Sequence, residues 1–511
     1  MRAAVIDIGS SSIKLIIGEK VEDELKILEF LKNVVNIGEY TFYKGRISQT
    51  IINDTIKIIE NYKKIISDYS IAQVKVIATA AVSEANNKDI FLDTVYRKCG
   101  FEIDVLNVGD VVYYIDSFLS FKLKQAYPIN EKNLLIAELG AGGLDLSVLE
   151  KGFTVMNFGI PIGTLRLRQF KKRFNCNLKD TMLALEEFVE NYIMTAKGML
   201  PDVKIDDVIL IDESYSTTVK HILPDENRPQ NFFQLKHRES IQLLSKIQGY
   251  NLSDLAYRFH LSPDIAETID TYAIILNKLF KLTKLRKIYI LETSLSQALL
   301  ANMLFDYEIS KKYNKPNQLI SVAKHLCAKF RSDSKHSRHV ALLSEKLFGY
   351  LKETLGLAQE DQLYLLLAAY LHNIGLFINN RAHHKHAEYI ISNLNLFRLT
   401  EVEIKVISCI ARYHRKAPPR NTHNVYNSLP PDEKILVQKL SAILRLANAL
   451  DSAHKQKIKD LDVLISANQE ILIHIYSTEN VTLELVNFDA QKELFEEISG
   501  NKVVLKVKKN K

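Results

Sequence analysis

The first 150 residues alternate short β-branched runs with helical stretches. The strand-like runs are AAVIDIG, IKLIIGEKV and VKVIATAA, and a helix-like stretch, ISQTIINDTIKIIENYKKIISDY, precedes the last of them. Strands that alternate with helices predict an α/β fold for this part of the chain.

A short repeat occurs twice within this part. Each copy is a strand, a turn of small residues and a second strand, at 5–8, 9–12 and 13–17 and again at 134–139, 140–143 and 144–149. Each copy also places an acid two residues before the first glycine of its turn, Asp7 before Gly9 and Glu138 before Gly140. We therefore expect two lobes that face each other across a cleft.

The pattern changes to long helices from about residue 319. Val340, Leu343, Leu347 and Leu351 are spaced by three and four residues, which puts one apolar stripe on a helix. Alternation returns in DVLISANQEILIHIYS and VTLELV, and the chain finishes with the basic KVVLKVKKNK. This last part predicts a small strand-rich domain.

The predicted organisation is two α/β lobes, an all-α domain and a small α+β C-terminal domain. The predicted boundaries are 1–125 and 126–310 for the lobes, 311–455 for the helical domain and 456–511 for the last domain.

Composition limits the class of protein. Of the 511 residues, 47% are hydrophobic and 25% are charged, as in soluble globular proteins. No run approaches the roughly 20 apolar residues that a membrane span requires. The four cysteines, Cys99, Cys176, Cys327 and Cys409, are widely scattered. Their spacing argues against a zinc ribbon or a disulfide framework and predicts a reduced, cytoplasmic protein.

The net charge of +7 favours an anionic partner without identifying one. The basic tail at the C-terminal end could bind nucleic acid. No recognition helix, aromatic RNA platform or zinc pattern accompanies the tail in the sequence, so we expect no nucleic-acid partner.

The two turns have the composition of phosphate-binding loops. Gly9, Ser10, Ser11 and Ser12 form the first turn, and the second contains Gly140, Gly142 and Gly143. Glycine lets phosphate approach backbone N–H groups because it has no Cβ. Asp7 could hold a metal ion against the same phosphate, directly or through water, since magnesium prefers oxygen ligands. The alternative is a pair of ordinary hairpins with polar turns.

Four segments together resemble the Ppx/GppA exopolyphosphatase and guanosine pentaphosphate phosphohydrolase family, in its long form with a C-terminal HD-type helical domain. They are DIGSSS at 7–12, ATAAVSEANN at 78–87, ELGAGGLDL at 138–146 and PIGTLRL at 161–167. The resemblance implies two actin-like lobes of the ribonuclease H and sugar-kinase type. It also implies a polyanionic substrate in a basic cleft, Mg²⁺-assisted attack of water on a terminal phosphoanhydride, and a homodimer.

The sequence departs from this family where a pair of glutamates is expected, one of which activates water. The stretch here is Gly109-Asp110-Val111-Val112-Tyr113, and valine cannot accept a proton. General-base catalysis, which typically contributes about 10²–10⁴-fold, is then lost unless another carboxylate substitutes. Asp110 is the nearest candidate, and Asp145 in the second turn's segment is another.

Further replacements affect the phosphate ligands. Ser11 replaces an Asn of the family, Ser83 replaces an Arg, and Gly143-Leu144 replaces a Ser-Thr pair. Ile211-Asp212-Glu213 stands where a Gly-rich loop is expected, and Ser296-Gln297-Ala298 replaces an Arg-Glu-Gly run. Two acids at 212 and 213 would repel a polyphosphate. Lys14 and Arg166 remain as cations for the polyanion, or alternatively are ordinary surface residues.

Histidines concentrate in the helical domain, where the resemblance implies an HD-type metal site. The matching residues are His336, His372, Asn373, His383, His384 and Asn448. Both carboxylate positions, 373 and 448, carry amides, so we expect no tight catalytic metal there. The alternatives are histidines kept for packing, weak metal binding, or a basic wall formed with Lys385, Arg412, Arg415 and Lys416.

The sequence leaves open whether the protein is an enzyme. As a hydrolase of inorganic polyphosphate or guanosine pentaphosphate, it would use Asp7 and Glu138 to organise Mg²⁺, and Asp145 or Asp110 to orient water. As a non-catalytic protein of the same fold, it would bind polyphosphate or an alarmone, because backbone N–H groups survive side-chain substitution.

Overall fold

The structure is a computed structural model that describes residues 1–123, 126–174, 178–226, 228–466 and 470–508. Cys176 and the last residues of the basic tail lie outside the described residues. The chain divides into two units, Met1–Asn314 and Lys315–Lys511. The finer boundaries at 125, 310 and 455 remain predictions.

The first lobe of the first unit is built on a five-stranded sheet in the order β3-β2-β1-β4-β5. Its strands are β1 (Arg2–Ile8), β2 (Ser12–Val21), β3 (Glu24–Val34), β4 (Gln73–Ala78) and β5 (Ile103–Val105). Its helices are α1 (Ile37–Lys44), α2 (Gln49–Asp68), α3 (Ala80–Ser83), α4 (Lys88–Cys99) and α5 (Val108–Lys122). The apolar residues at 3–6 of β1 are fully buried, as expected for a strand covered on both faces.

The second lobe of this unit is built on a six-stranded sheet in the order β10-β11-β9-β6-β7-β8. Its strands are β6 (Asn133–Leu139), β7 (Leu144–Glu150), β8 (Phe153–Ile160), β9 (Asp207–Asp212), β10 (Phe232–Lys236) and β11 (Lys287–Glu292). The helices that follow β8 are α6 (Thr164–Lys171), α7 (Leu178–Met199), α8 (Tyr215–Ile222), α9 (His237–Ile247), α10 (Leu252–Phe259), α11 (Pro263–Ala266), α12 (Ile269–Thr283), α13 (Leu295–Leu304) and α14 (Asp306–Lys312). Helix α13 returns to the first lobe, where it packs on β1 and β2.

The predicted repeat is present as two antiparallel hairpins. In the first, β1 pairs with β2 and Asp7 lies opposite Lys14. In the second, β6 pairs with β7 and Glu138 lies opposite Asp145. The first turn (residues 9–12) and the second turn (residues 140–143) are closed by equivalent hydrogen bonds, from N of the first glycine to the carbonyl oxygen three residues on, both 2.9 Å long.

The second unit contains nine described helices and a three-stranded sheet in the order β12-β13-β14. The helices are α15 (Lys315–Lys329), α16 (Ser334–Leu355), α17 (Asp361–Leu371), α18 (His383–Ser392), α19 (Glu401–Arg412), α20 (Asn424–Asn427), α21 (Pro431–Ala449), α22 (Thr482–Gln491) and α23 (Glu493–Ser499). The strands are β12 (Asp460–Ser466), β13 (Glu470–Tyr476) and β14 (Lys502–Lys508). The stripe predicted at 340, 343, 347 and 351 is buried on α16. Together with the lobes, these elements confirm the predicted fold class.

One predicted strand is wrong. The segment VTLELV, at 481–486, lies at the start of helix α22. The buried residues here are Val481, Glu484 and Phe488, and their spacing of three and four is that of a helix. The buried Glu484 carboxylate accepts a hydrogen bond from Lys457, while the apolar Leu483 and Val486 are exposed. A six-residue alternation was too short to exclude a helix.

None of the helices in the described ranges is both long enough and apolar enough to cross a membrane.

We predict that Gly163→Ala destabilises the first unit, because the added methyl group would stand 2.3 Å from both Ala141 O and Gly143 N at the second turn. Overpacking of this kind costs about 1–3 kcal/mol. The matched control is Gly198→Ala, where an added Cβ has nothing within 4 Å outside its own helix backbone among the described residues. A helix glycine replaced by alanine gains up to about 1 kcal/mol. Urea unfolding followed by circular dichroism measures both variants, and an unchanged free energy of unfolding for Gly163→Ala would contradict this packing.

Candidate functional site

The two turns meet where the lobes face each other. A methyl group on Gly142 would stand 3.0 Å from Ser10 Oγ and 3.0 Å from the Ala80 side chain, so glycine is required by the close approach. The backbone N–H of Gly38 donates to Ser10 O at 2.8 Å and fixes the first turn from its own lobe. The structure therefore brings together the seven turn residues that the sequence assigned to phosphate.

The acid before the first turn is buried. Asp7 Oδ2 accepts a hydrogen bond of 2.8 Å from Ser296 Oγ of α13 and lies 3.9 Å from Lys14 Nζ. Its other oxygen, Oδ1, has no hydrogen-bond partner within the described part of the chain. Burial raises the pKa of Asp7, and the nearby Lys14 charge offsets this in part.

The acid before the second turn faces another acid. Glu138 and Asp145 lie directly opposite each other on β6 and β7. Loss of water around both groups, together with the Asp145 charge, raises the pKa of Glu138 to about 8, and burial raises the pKa of Asp145 to about 7. Two facing carboxyls near neutral pH can exchange a proton with water or share a cation.

Lys14 lies among these acids and bridges the lobes. Its Nζ donates a 2.5 Å hydrogen bond to Glu213 Oε2, at the end of β9 in the second lobe. Burial disfavours the ammonium charge, but Glu213 and Asp7 outweigh it and raise the pKa of Lys14. One ammonium therefore interacts with three carboxyls, those of Glu213, Asp7 and Glu138.

Arg166 of α6 is also bound across the lobes. Its guanidinium lies 3.8 Å from the centre of the Phe42 ring, and Nη2 donates to Glu84 Oε1 at 2.7 Å. Its Nε donates to the Gly142 carbonyl at 2.9 Å, which ties it to the second turn. Both cations assigned to the polyanion thus interact with carboxylates of the opposite lobe, and an incoming phosphate has to compete with them.

Asp110 has a local role in the structure. It forms a capping box at the start of α5, where its N–H donates to Asn107 Oδ1 and its Oδ2 accepts from Asn107 N. Val111 and Val112, at the positions where the resemblance implies two glutamates, are buried. The Oδ1 atom of Asp145, by contrast, lies beside Gly159 in the second lobe, which also borders Val108 at the start of α5.

The acids at 212 and 213 have different roles. The Asp212 carboxylate accepts hydrogen bonds from the N–H groups of Ser214 and Tyr215 and from the hydroxyl of Tyr272. It therefore stabilises the loop into α8. Of these two acids, only Glu213 contacts Lys14. The repulsion of a polyphosphate that the sequence predicted for both acids is therefore expected from Glu213 alone.

Asp116 was not anticipated from the sequence. It lies one helical turn beyond Val112, is fully buried, and accepts hydrogen bonds from Ser147 Oγ at 2.9 Å and Thr154 Oγ1 at 3.2 Å. Burial raises the pKa of Asp116 to about 7. This carboxyl ties α5 of the first lobe to β7 and β8 of the second, and its signal was a lone acid within the apolar run VVYYIDSFL.

In the second unit, four buried histidines from different helix ends form what we call the histidine cluster: His336, His372, His383 and His414. His336 Nε2 lies 3.3 Å from His372 Nε2 and 3.2 Å from Asn448 Oδ1. Among the described residues, no three His, Cys, Asp or Glu side chains are arranged to hold a metal ion.

Two other predicted members of this site, Asn373 and His384, are buried and adjoin residues of the histidine cluster along the chain. Asn373 follows His372 directly, and the His384 ring lies 6.1 Å from that of His383. Burial lowers the pKa of His372 to about 3 and that of His384 to about 4. These two histidines therefore stay neutral at physiological pH and add no charge to the basic wall that the sequence left open, which stays a prediction.

Two family models match this chain. The model described as Ppx/GppA phosphatase family matches residues 16–306, and the one described as Ppx/GppA phosphatase, domain III, matches residues 320–493. A guanosine-5'-triphosphate,3'-diphosphate pyrophosphatase of Pseudoalteromonas translucida is similar, with 22% identity over 461 residues. That alignment covers 87% of this chain and 86% of the relative.

Two solved structures share the fold of the part that they cover. A Ppx/GppA family member of Aquifex aeolicus has a TM-score of 0.51 at 20% identity. An exopolyphosphatase of Cytophaga hutchinsonii has a TM-score of 0.53 at 17% identity. Each covers 60% of this chain and 98% of the solved chain, and the likeness supports the two-lobed, actin-like fold.

We predict that the first unit becomes less stable as the pH rises from about 5 to about 8. Folded Glu138, Asp145 and Asp116 keep their protons to pKa values of about 7 to 8, whereas unfolded carboxyls lose theirs near pH 4. The folded state therefore binds more protons in this window, and the free energy of unfolding falls with pH. Calorimetric melting of wild type and of Glu138→Gln/Asp145→Asn checks this. The double variant should lose the part of the dependence that Glu138 and Asp145 supply and keep the part that Asp116 supplies. The exposed Glu84→Gln should keep the whole dependence, and a flat wild-type profile would contradict the prediction.

Proposed function

The chain belongs to the Ppx/GppA phosphatase family, and we propose that its cleft binds inorganic polyphosphate or guanosine pentaphosphate and slowly hydrolyses the terminal phosphoanhydride. The observation that carries the proposal is the contact between the two glycine turns, with the Glu138 and Asp145 carboxyls directly beside the second. Backbone N–H groups at such turns bind phosphate without side-chain help.

In this proposal the turns hold the phosphates and the cations neutralise them. N–H groups and hydroxyls of the first turn hold the terminal phosphate, and the glycines of the second turn hold its neighbour. Lys14 and Arg166 supply positive charge after release from Glu213 and Glu84. Each cation would then exchange its carboxylate partner for a phosphate oxygen, so it would stay paired with a negative charge.

Asp145 is the proposed general base. Its raised pKa, to about 7, lies near the operating pH, as efficient proton transfer requires. It accepts a proton from water while the water oxygen bonds to the terminal phosphorus and the bond to the bridging oxygen breaks. Asp110 is a weaker candidate because its carboxylate caps α5. The family's glutamates are valines here, and we therefore expect a low rate.

A magnesium ion is part of the proposal. The buried Asp7 Oδ1 that has no partner among the described residues, and the facing Glu138 and Asp145 carboxyls, suit a cation with oxygen ligands. Bound there with water, Mg²⁺ would neutralise charge on the phosphates and polarise them. Asp7 and Glu138 would hold it, and Asp145 would remain for the water.

Binding without turnover is the second candidate function. It is favoured by Val111 and Val112, which stand in place of the base and cannot accept a proton. A sensor of polyphosphate or of an alarmone would need the turns but no base.

We also propose a homodimer, from the family resemblance, and a cytoplasmic location. The location is supported by Cys99, Cys327 and Cys409, which are buried free thiols within the described chain. Light scattering on the purified chain measures the oligomeric state.

We predict slow orthophosphate release from long-chain polyphosphate with Mg²⁺, reduced about 100-fold or more in Asp145→Asn. The matched control is Asp110→Ala, which removes a helix cap and costs about 1 kcal/mol of stability while keeping the rate per folded molecule. Equal rates for Asp145→Asn and wild type would reject Asp145 as base. Release no faster than a protein-free blank, on both substrates, would reject hydrolysis and leave the binding function.

We predict that Glu213→Gln binds polyphosphate about two- to tenfold more tightly than wild type, because Lys14 loses its competing carboxylate. Fluorescence anisotropy with end-labelled polyphosphate at low salt measures the affinity, which should weaken as salt rises. Glu190→Gln is the control, since it breaks an ion pair with Lys278 on α12, within the second lobe. If both variants bind like wild type, polyphosphate does not use Lys14.

A further inference from the structure

Asp116 is a buried acid that the proposed reaction does not use. Its carboxylate accepts hydrogen bonds from Ser147 Oγ at 2.9 Å and from Thr154 Oγ1 at 3.2 Å, and the Tyr313 hydroxyl approaches it at 3.5 Å. All four residues are fully or almost fully buried. Within the part of the chain that the structure describes, three hydroxyls and no charged group therefore surround this carboxyl.

Helix α5 carries Asp116 on the face that packs on the hairpin of β7 and β8. Val108, Val112 and Asp116 are spaced by four residues, so they form one stripe along this helix. On β7, Asp145 and Ser147 are two residues apart and therefore point to the same side of the sheet. The helix and the β7–β8 hairpin enclose a groove, which we call the α5 groove, with Asp116 and Ser147 at one end.

Asp145 lies at the other end of the α5 groove. A Cβ on Gly159 would stand 2.7 Å from Asp145 Oδ1 and 2.8 Å from Val108 Cγ2, so these two side chains are neighbours across the groove. Gly159 is exposed, whereas Ser147 and Thr154 are buried. The α5 groove is therefore open to solvent at Asp145 and closed at Asp116.

We propose that Asp116 is a positioning residue for the general base. Its hydrogen bonds to the β7–β8 hairpin fix the hairpin on α5, hold Asp145 at the open end of the groove and keep water out of the groove behind it. This inference rests on the proposed function, in which Asp145 accepts the proton from water. Asp116 is fully buried, so it acts only through the placement of Asp145.

A carboxyl group suits this role because it keeps its partners in either protonation state. Ionised, Asp116 accepts from all three hydroxyls. Protonated at Oδ2, it donates to Thr154 or Tyr313 and still accepts at Oδ1. Alanine at this position would leave the three hydroxyls without this partner in a buried site, where unmade hydrogen bonds destabilise the fold. Asparagine has nearly the same shape and keeps an acceptor oxygen.

The test compares Asp116→Ala and Asp116→Asn with wild type in the phosphate-release assay across neutral pH. For Asp116→Ala we expect kcat to fall about tenfold or more with little change in KM, because the base is displaced while the turns that hold the phosphates are intact. Water that enters the groove should also lower the pKa of Asp145, so the acid limb of kcat should move down by about one pH unit. Asp116→Asn should keep kcat and the acid limb close to those of wild type.

Two further variants keep this test decisive. Ser117→Ala is the matched control, because Ser117 is the next residue of α5 and is equally buried, but its hydroxyl bonds to Asn302 on α13 instead of the hairpin. It should leave kcat and the acid limb unchanged. Ser147→Ala removes one donor to Asp116 and should change both in the same direction as Asp116→Ala, by a smaller factor, even if that variant folds poorly.

Two results would overturn the proposal. One is an Asp116→Ala variant that lowers only the thermal midpoint, with kcat per folded molecule and the acid limb unchanged, because Asp116 would then have a structural role alone. The other is an Asp116→Asn variant as impaired as Asp116→Ala, because the hydrogen bonds would then not explain the effect.

Hydrogen exchange distinguishes a failure of this inference from a failure of the proposed function, because it needs no turnover. Amide exchange in residues 108–122 and 144–160 should rise about tenfold or more in Asp116→Ala and stay at the wild-type level in Ser117→Ala. If wild type releases no phosphate but exchange differs in this way, hydrolysis is rejected while the fixing of the hairpin by Asp116 is supported. Unchanged exchange in Asp116→Ala would overturn the positioning role whatever the phosphate assay shows.

Discussion

The charge balance around Lys14 is the constraint on which the cleft depends. Lys14 lies on β2, opposite Asp7 on β1, and its ammonium binds Glu213 from the second lobe. Glu138 lies near enough to raise the pKa of Lys14 further. A single cation thus holds together acids from both lobes. Without Lys14, the buried Asp7 carboxylate would keep, among its described contacts, only the hydrogen bond from Ser296. A buried charge that has lost its ion-pair partner destabilises the folded state strongly.

The two hairpins repeat the backbone but not the charge. In both, the acid two residues before the turn lies opposite the residue seven positions later, Lys14 in one and Asp145 in the other. The first pair is neutral overall, and the second is repulsive when ionised. In the proposed function, a polyphosphate would therefore meet one acid that Lys14 already neutralises and a pair of acids that favours a proton or a cation. This asymmetry supports the proposal that the second lobe carries the water-activating group.

Features set by local sequence were predictable, and contacts between distant residues were not. The hairpins followed from glycine turns between apolar strands, and the Asp110 cap was readable from the Asn107-x-x-Asp110 spacing. Glu213 and Lys14 are 199 residues apart, and Arg166 and Glu84 are 82 apart, so no sequence pattern shows that each cation has a partner. The helix at VTLELV was missed because a buried Glu484 occupied an apolar position.

The two units fix their buried titratable side chains in different ways. In the lobes, the strand register places Glu138 opposite Asp145 across a hairpin. In the helical unit, helix ends orient the rings of His372 and His414 through carbonyl oxygens three residues earlier. Burial disfavours the charged form of both kinds of group, so it raises the pKa values of the two carboxyls and lowers those of the two histidines. The same physical cause therefore favours protonated acids in one unit and neutral imidazoles in the other.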